Sequence, residues 1–149
     1  MEETRDFKIL VVDDSTTNVV LLEAILDEKG YQIETALNAK EAYAIIERES
    51  PDLILLDLLM PKISGFDFLE EIRKIDKTKN TPVIVVSALT DEENVERIMN
   101  MGAIDFVKKP IDLQYLVERV EKVLFKAYKS ISEFHKHIQT NTTCMRLYL

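Results

Sequence analysis

Five polar side chains stand where apolar runs end. Asp13 and Asp14 follow Ile9-Leu10-Val11-Val12, Asp57 interrupts Leu53-Ile54-Leu55-Leu56 and Leu58-Leu59-Met60-Pro61, Ser87 closes Val83–Val86, and Lys109 follows Phe106-Val107-Lys108. Three carboxylates brought together repel one another, which raises their pKa values and destabilises a fold unless a cation joins them. Magnesium suits such a site best, because it takes one or two carboxylates and keeps waters that a phosphate can replace. Zinc does not fit: there is no cysteine pair, and His135-Lys136-His137 puts its two imidazoles on different sides of a helix. Lys109 and Ser87 add donors of the kind that phosphoryl oxygens on a metal-bound carboxylate require. Phosphoryl transfer depends mostly on positioning and charge neutralisation, and a carboxylate can itself be the nucleophile, forming an aspartyl phosphate. Asp57 is then the candidate nucleophile, with Asp13 and Asp14 as the metal-holding pair.

An Asp-Asp pair before a helix is, alone, more often a cap and dipole partner than a metal site. The joint pattern is more specific, and it depends on elements that bring these residues to one edge. Five short runs rich in aliphatic and β-branched residues read as strands: Phe7–Val12, Tyr31–Thr35, Leu53–Leu56, Val83–Val86 and Asp105–Lys108. The first, third and fourth are almost continuously apolar, as parallel strands covered on both faces are. Helical spacing lies between them, in Val19/Leu22/Leu26, Ala42/Ile45/Ile46, Phe68/Leu69/Ile72 and Val95/Ile98. Gly30 and Gly102 follow predicted helices, while Asn38, Ser64 and Asp112 stand at N-cap positions.

Alternating strands and helices with short connections predict an α/β fold, a doubly wound five-stranded parallel sheet with right-handed crossovers. In such a sheet the carboxyl ends of the strands share one edge, and ligands bind where strand order reverses. With order 2-1-3-4-5 that crevice lies between strands one and three, which bear Asp13, Asp14 and Asp57. Asp57 is therefore expected to emerge from the core rather than lie within it.

Bulk properties narrow the classes. At 149 residues, 46% apolar and 31% charged, the chain suits one soluble globular domain with its own core. No apolar run approaches the ~20 residues that span a bilayer. The charged start, MEETRDFK, is unlike a signal peptide, and a lone Cys144 fits a reducing cytosol, so a cytoplasmic protein is expected. Residues 1–125 hold 15 basic and 26 acidic side chains, whereas residues 126–149 hold four basic and one acidic. An acidic body argues against direct nucleic-acid binding, which wants a basic face.

The motifs ILVVDDS (9–15), LILLDLLMP (53–61) followed by Gly65, VIVVSA (83–88) and GAIDFVKKP (102–110) resemble the receiver domain of two-component response regulators over residues 6–126. The resemblance implies a flavodoxin-like fold and a signalling switch that catalyses only its own phosphorylation and dephosphorylation. It implies that Asp57 accepts a phosphoryl group from a sensor histidine kinase or phosphotransfer protein. Mg²⁺ would be held by Asp13, Asp14, Asp57 and the backbone carbonyl of Leu59. Lys109 and Ser87 would meet the phosphoryl oxygens, Phe106 would be the switch aromatic, and Pro110 would follow a cis bond. The fourth helix, fifth strand and fifth helix would carry the output to a partner that the sequence does not identify. Leu59 and Leu89 are apolar where many relatives carry polar groups that influence an attacking water, from which a long-lived phosphorylated form is expected.

Beyond Leu113 a helical seam continues through Val117, Val120, Leu124, Ala127, Ile131, Phe134 and Ile138. Residues 127–149 therefore read as a C-terminal helical extension or linker: an extended helix forming a homodimeric coiled coil, a helix folded back on its domain, or the remnant of a longer protein. Two other classes fit less well. A phosphatase of the haloacid dehalogenase type resembles Asp-x-Asp-x-Thr after its first strand, whereas Asp13 and Asp14 are adjacent here. A pseudo-receiver that takes no phosphate would be an interaction module, against which the complete set of site residues speaks. Nucleotide binding through a Gly-rich loop does not fit glycines at 30, 65 and 102 only.

Overall fold

The computed structural model describes residues 7–125. Its sheet is parallel throughout, in the order β2-β1-β3-β4-β5. The strands are β1 (Lys8–Val12), β2 (Gln32–Ala36), β3 (Leu53–Leu56), β4 (Val83–Ser87) and β5 (Asp105–Lys108). Between them run α1 (Thr16–Glu28), α2 (Ala39–Arg48), α3 (Gly65–Ile72) and α4 (Glu92–Asn100), and α5 (113–125) follows β5. This is the doubly wound, flavodoxin-like architecture that the pattern of runs predicts. The expected extension of the last helix past residue 126, and with it the coiled-coil seam, lies outside the described residues.

Alternation along the strands sends side chains into two cores. Ile9, Val11, Leu53, Leu55, Ile84 and Val86 meet α1 and α5 on one face. On the other, Leu10, Val12, Ile54, Leu56, Val83 and Val85 meet α2, α3 and α4. All four residues of β3 are buried. Each contributes roughly 1.5–3 kcal/mol, enough together to offset the several kcal/mol that a buried carboxylate at the strand's end costs.

Local chemistry sets the ends. Ser15, Asn38, Ser64 and Asp91 cap α1 to α4 by accepting from the main-chain N–H groups of Asn18, Glu41, Asp67 and Asn94. Asp112 does the same for the N–H of Tyr115 at 3.1 Å. β2 begins one residue later than Tyr31–Thr35 because Tyr31 belongs to the end of α1. Its N–H donates to Leu26 O at 3.3 Å and that of Gly30 to Asp27 O at 2.9 Å, with Gly30 at φ 97°. This is the paired-bond ending that favours a left-handed glycine. Gly102, at φ 100°, closes α4 in the same way.

Candidate functional site

β1 and β3 lie side by side, with Val12 opposite Leu56, so Asp13 and Asp57 leave the sheet as neighbours. The N–H of Asp57 donates to Val12 O at 2.9 Å and that of Asp13 to Ala36 O at 3.0 Å, which fixes both main chains before their side chains turn toward each other. Ligand oxygens of Asp13, Asp14 and Asp57 come within 4.8 Å of one another. Across the cleft Lys109 reaches over from the end of β5. Its Nζ lies 3.0 Å from Asp13 Oδ2 and 3.2 Å from Asp57 Oδ2.

Asp57 is not the emergent carboxylate expected above. It is 3% exposed, as is Asp13, and only Asp14 is open to solvent. Strand end and surface do not coincide here, because Lys109, Asp13 and the chain after Asp57 roof over the carboxylate. Its Oδ1 accepts from the N–H of Leu59 at 3.2 Å. Burial is the largest influence on its pKa and raises it, the charge of Asp13 adds to that, and Leu59 N–H and Lys109 pull the other way without prevailing. Repulsion between carboxylates is thus real but secondary to desolvation. Burial tends to lower the pKa of Lys109, but the hydrogen bond to Asp13 and the charges of Asp57 and Asp13 outweigh it, so the net shift is upward and the ammonium stays charged.

Asp13 is oriented from both sides. Its Oδ1 accepts from Ser15 N–H at 2.8 Å, and its Oδ2 from Asn18 Nδ2 at 3.4 Å as well as from Lys109. Ser87 is fully buried at the end of β4, where its Oγ accepts from Leu89 N–H at 3.2 Å. Its carbonyl accepts from Lys109 N–H at 2.9 Å, so the hydroxyl and the lysine ride on one main-chain junction. Phe106 is half-buried against the α2–α3–α4 core, beside which Leu89 also packs. The Lys109–Pro110 peptide bond is cis.

A donor set of three carboxylates, with oxygen ligands only, fits a hard divalent cation such as Mg²⁺ and offers nothing to a soft one. The family model of the response regulator receiver domain matches residues 9–121. The chain belongs to that family.

Relatives and solved structures agree with it. The receiver chain is 39% identical over 116 residues to the response regulator PleD of Caulobacter vibrioides, a match covering 78% of this chain and 26% of PleD. It is 34% identical over 117 residues to protein PilH of Pseudomonas aeruginosa, covering 78% of this chain and 97% of PilH. Among structures, a CheY-like receiver domain protein from Methanospirillum hungatei superposes with a TM-score of 0.77 at 31% identity, covering 83% of this chain and 98% of that one. Receiver domains are phosphoacceptor signalling modules, generally without enzymatic activity of their own. Among the described residues, no helix is long and apolar enough to cross a membrane.

Sequence reasoning brought together Asp13, Asp14, Asp57 and Lys109, and it missed residues that act through backbone approach. Gly65, at the first position of α3, stood in the quoted motif without a role, and close packing supplies it. A Cβ there would stand 2.5 Å from both Asp57 O and Leu58 Cα, and its N–H donates to Leu58 O at 2.9 Å. The available signal was that Gly65 alone of the three glycines does not end a helix. Asn18, which steadies Asp13 from one turn into α1, carried no distinguishing signal. Lys62, in the loop between β3 and α3, holds φ 69° while Ile63 N–H donates to Pro61 O at 2.8 Å, a γ-turn of the rare positive-φ kind.

Proposed function

We propose that this receiver domain, residues 6–126, takes a phosphoryl group onto Asp57 from the phosphohistidine of a sensor histidine kinase or phosphotransfer protein in the cytoplasm. The observation that carries the reading is Lys109 Nζ bridging Asp13 and Asp57 at 3.0 and 3.2 Å while Asp14 converges on the same point. Mg²⁺, held by Asp13, Asp14, Asp57 and the Leu59 carbonyl, would neutralise carboxylate and phosphoryl oxygens together.

The chain's own residues do the rest. An oxygen of Asp57 forms the new O–P bond as the donor's N–P bond breaks, in a cleft where burial already makes the free carboxylate costly. Lys109, already 3.2 Å from Asp57 Oδ2, follows the charge onto the phosphoryl oxygens. Ser87 Oγ, now accepting from Leu89 N–H, has a hydroxyl proton to donate once the loop after β4 shifts. The modified side chain carries about −1.5 to −2 charges and three acceptor oxygens, so these contacts favour a second arrangement of the loops that bear them. A groove of about 290 Å³ beside Lys109, walled by Leu21, Leu22, Ile111 and Leu113, offers apolar contact for a donor protein. Met99 on α4, Ile104 just before β5, and Tyr115 and Phe125 on α5 stay exposed, which supports an output partner on that side.

Intact mass after incubation with acetyl phosphate and Mg²⁺ tests this, beside Asp57→Asn. One added phosphoryl group in the parent alone is expected. None, in a folded protein that still binds Mg²⁺, would make the chain a pseudo-receiver acting by contact only.

A further inference from the structure

The helix α4 is held unevenly. Ile98 is its one buried residue, whereas α2 and α3 bury four each. The fully buried side chain, the cation–π contact and the side-chain hydrogen bond described between α4 with its C-terminal turn and the rest of the fold all lie at or after Arg97. Its C-terminal turn is stapled by Arg73, whose Nη2 donates to Gly102 O at 3.0 Å while Nη1 donates to Thr78 O at 3.0 Å and Thr81 O at 2.8 Å. Three carbonyls from two separate loops thus converge on one planar guanidinium, a geometry that a flexible ammonium does not reproduce. One turn earlier, the Arg97 guanidinium lies over the Phe66 ring, 4.2 Å from its centroid. Upstream of Arg97, by contrast, Glu92, Glu93 and Glu96 are exposed, Asn94 and Val95 are half-buried, and the Asp91 cap is local to the helix. A segment with few buried apolar contacts opens at low cost.

Phe66 is also the far end of a rigid connection to Asp57. It follows Gly65, whose Cα is pressed so closely against Asp57 O and Leu58 Cα that no Cβ fits between them. A displacement of the Asp57 main chain therefore has to move Gly65, and Phe66 with it. We infer that α4 pivots about its Arg73-stapled C-terminus, and that the stacking of Arg97 on Phe66 is the latch that holds its N-terminal half in the position seen here. The trigger rests on the proposed function, since phosphorylation of Asp57 is what would shift Gly65 and Phe66. The latch itself belongs to the unphosphorylated protein. It enters the switch from the β3–α3 side, independently of the Ser87 hydroxyl on the β4–α4 side.

Hydrogen exchange in the unphosphorylated full chain separates the two. Arg97→Gln should accelerate exchange of the Val95 and Glu96 amides roughly two- to fivefold, the worth of a cation–π contact at an exposed site. Gly102 and Ala103, at the pivot, should not change. Phe66→Leu should give the same acceleration while keeping the charge near the helix C-terminus, the double variant should add nothing further, and Arg97→Lys should restore part of the protection. Additive effects, unchanged Val95 and Glu96, or equal acceleration at Gly102 and Ala103 would each overturn the latch. In protein shown by mass to be phosphorylated, the parent should exchange as fast at Val95 and Glu96 as Arg97→Gln does. Unaltered protection there would remove Phe66 from the trigger. A parent that accepts no phosphoryl group defeats the proposed function instead, and the unphosphorylated comparison still decides the latch.

Discussion

Replacing Gly65 by alanine sets two physical effects against each other. On helix propensity alone the change is favourable, by at most the about 0.8–1.0 kcal/mol that separates Gly from Ala in a helix interior, since Gly65 is the first residue of α3. Packing opposes it. The new methyl would stand 2.5 Å from Asp57 O and from Leu58 Cα, whereas ordinary contact begins at 3.4 Å. Both obstacles are backbone atoms and cannot rotate aside. The shortfall of about 0.9 Å must be met by moving the start of α3, which is anchored by the buried Phe68, Leu69 and Ile72, or by moving the end of β3. Overpacking of this kind costs typically 1–3 kcal/mol and occasionally more. Packing therefore wins, and a net loss of about 1 kcal/mol is expected, the middle of the overpacking range less the propensity gain.

Urea denaturation at constant slope measures that loss directly, and a thermal midpoint lowered by roughly 3–5 °C would accompany it. Because the clash falls on the residue that carries the carboxylate, phosphorylation by acetyl phosphate should slow as well, by about 10²-fold if Asp57 is displaced by ~1 Å. Gly30→Ala is the control. It forces a side chain into φ 97° at the end of α1, so it should cost about 1 kcal/mol and leave phosphorylation unchanged. A Gly65→Ala protein as stable as the parent would refute the reasoning, since propensity would then have prevailed over contact. Equal kinetic losses in both variants would show that general destabilisation, not the approach to Asp57, is responsible.

Other outcomes follow from the same site. Burial raises the Asp57 pKa above its ordinary 3.8, so the folded chain retains a proton that the unfolded chain has lost, and stability falls as pH rises through that interval. Asp57→Asn should therefore be more stable than the parent at neutral pH without Mg²⁺, with the advantage shrinking on acidification toward pH 3.8. Denaturation curves across that range check it, and an advantage that grows on acidification would contradict the assignment. Lys62 is held at φ 69°, a conformation that costs a non-glycine residue of order 1–3 kcal/mol. Lys62→Gly relieves that strain against a smaller entropic loss, so a gain of about 1 kcal/mol in thermal unfolding is expected; an unchanged or lower midpoint would count against the strained turn. Leu59 is half-exposed beside the carboxylate and Leu89 packs partly buried next to Ser87. Neither can orient a water, so Leu59→Asn and Leu89→Glu should shorten the phosphorylated lifetime several-fold by intact mass, and unchanged decay in both would dismiss that account.

What the sequence made legible was whatever depends on periodicity and on local hydrogen bonding. Runs such as Ile9–Val12 and Leu53–Leu56 announce buried parallel strands, and Asn38, Ser64 and Asp112 cap their helices through atoms three residues away. From strand order alone, Asp13 and Asp57 had to become neighbours. The misreadings share a cause of longer range. Tyr31 looks like the first residue of a strand, yet the carbonyl of Leu26 claims its N–H, and only the helix ending decides that competition. Asp57 was expected at the surface because a strand ends there, but burial depends on Lys109, 52 positions away. Arg73 illustrates the limit most sharply. At the C-terminal cap of α3 it reads as any solvated basic residue, and its three carbonyl partners, Thr78, Thr81 and Gly102, have no side-chain signature because the acceptors are main-chain atoms. A carbonyl left open by an irregular loop is invisible in sequence, since every residue has one. Loops 73–81 and 101–104 therefore had to be located in space before their junction could be recognised as the point about which α4 can turn.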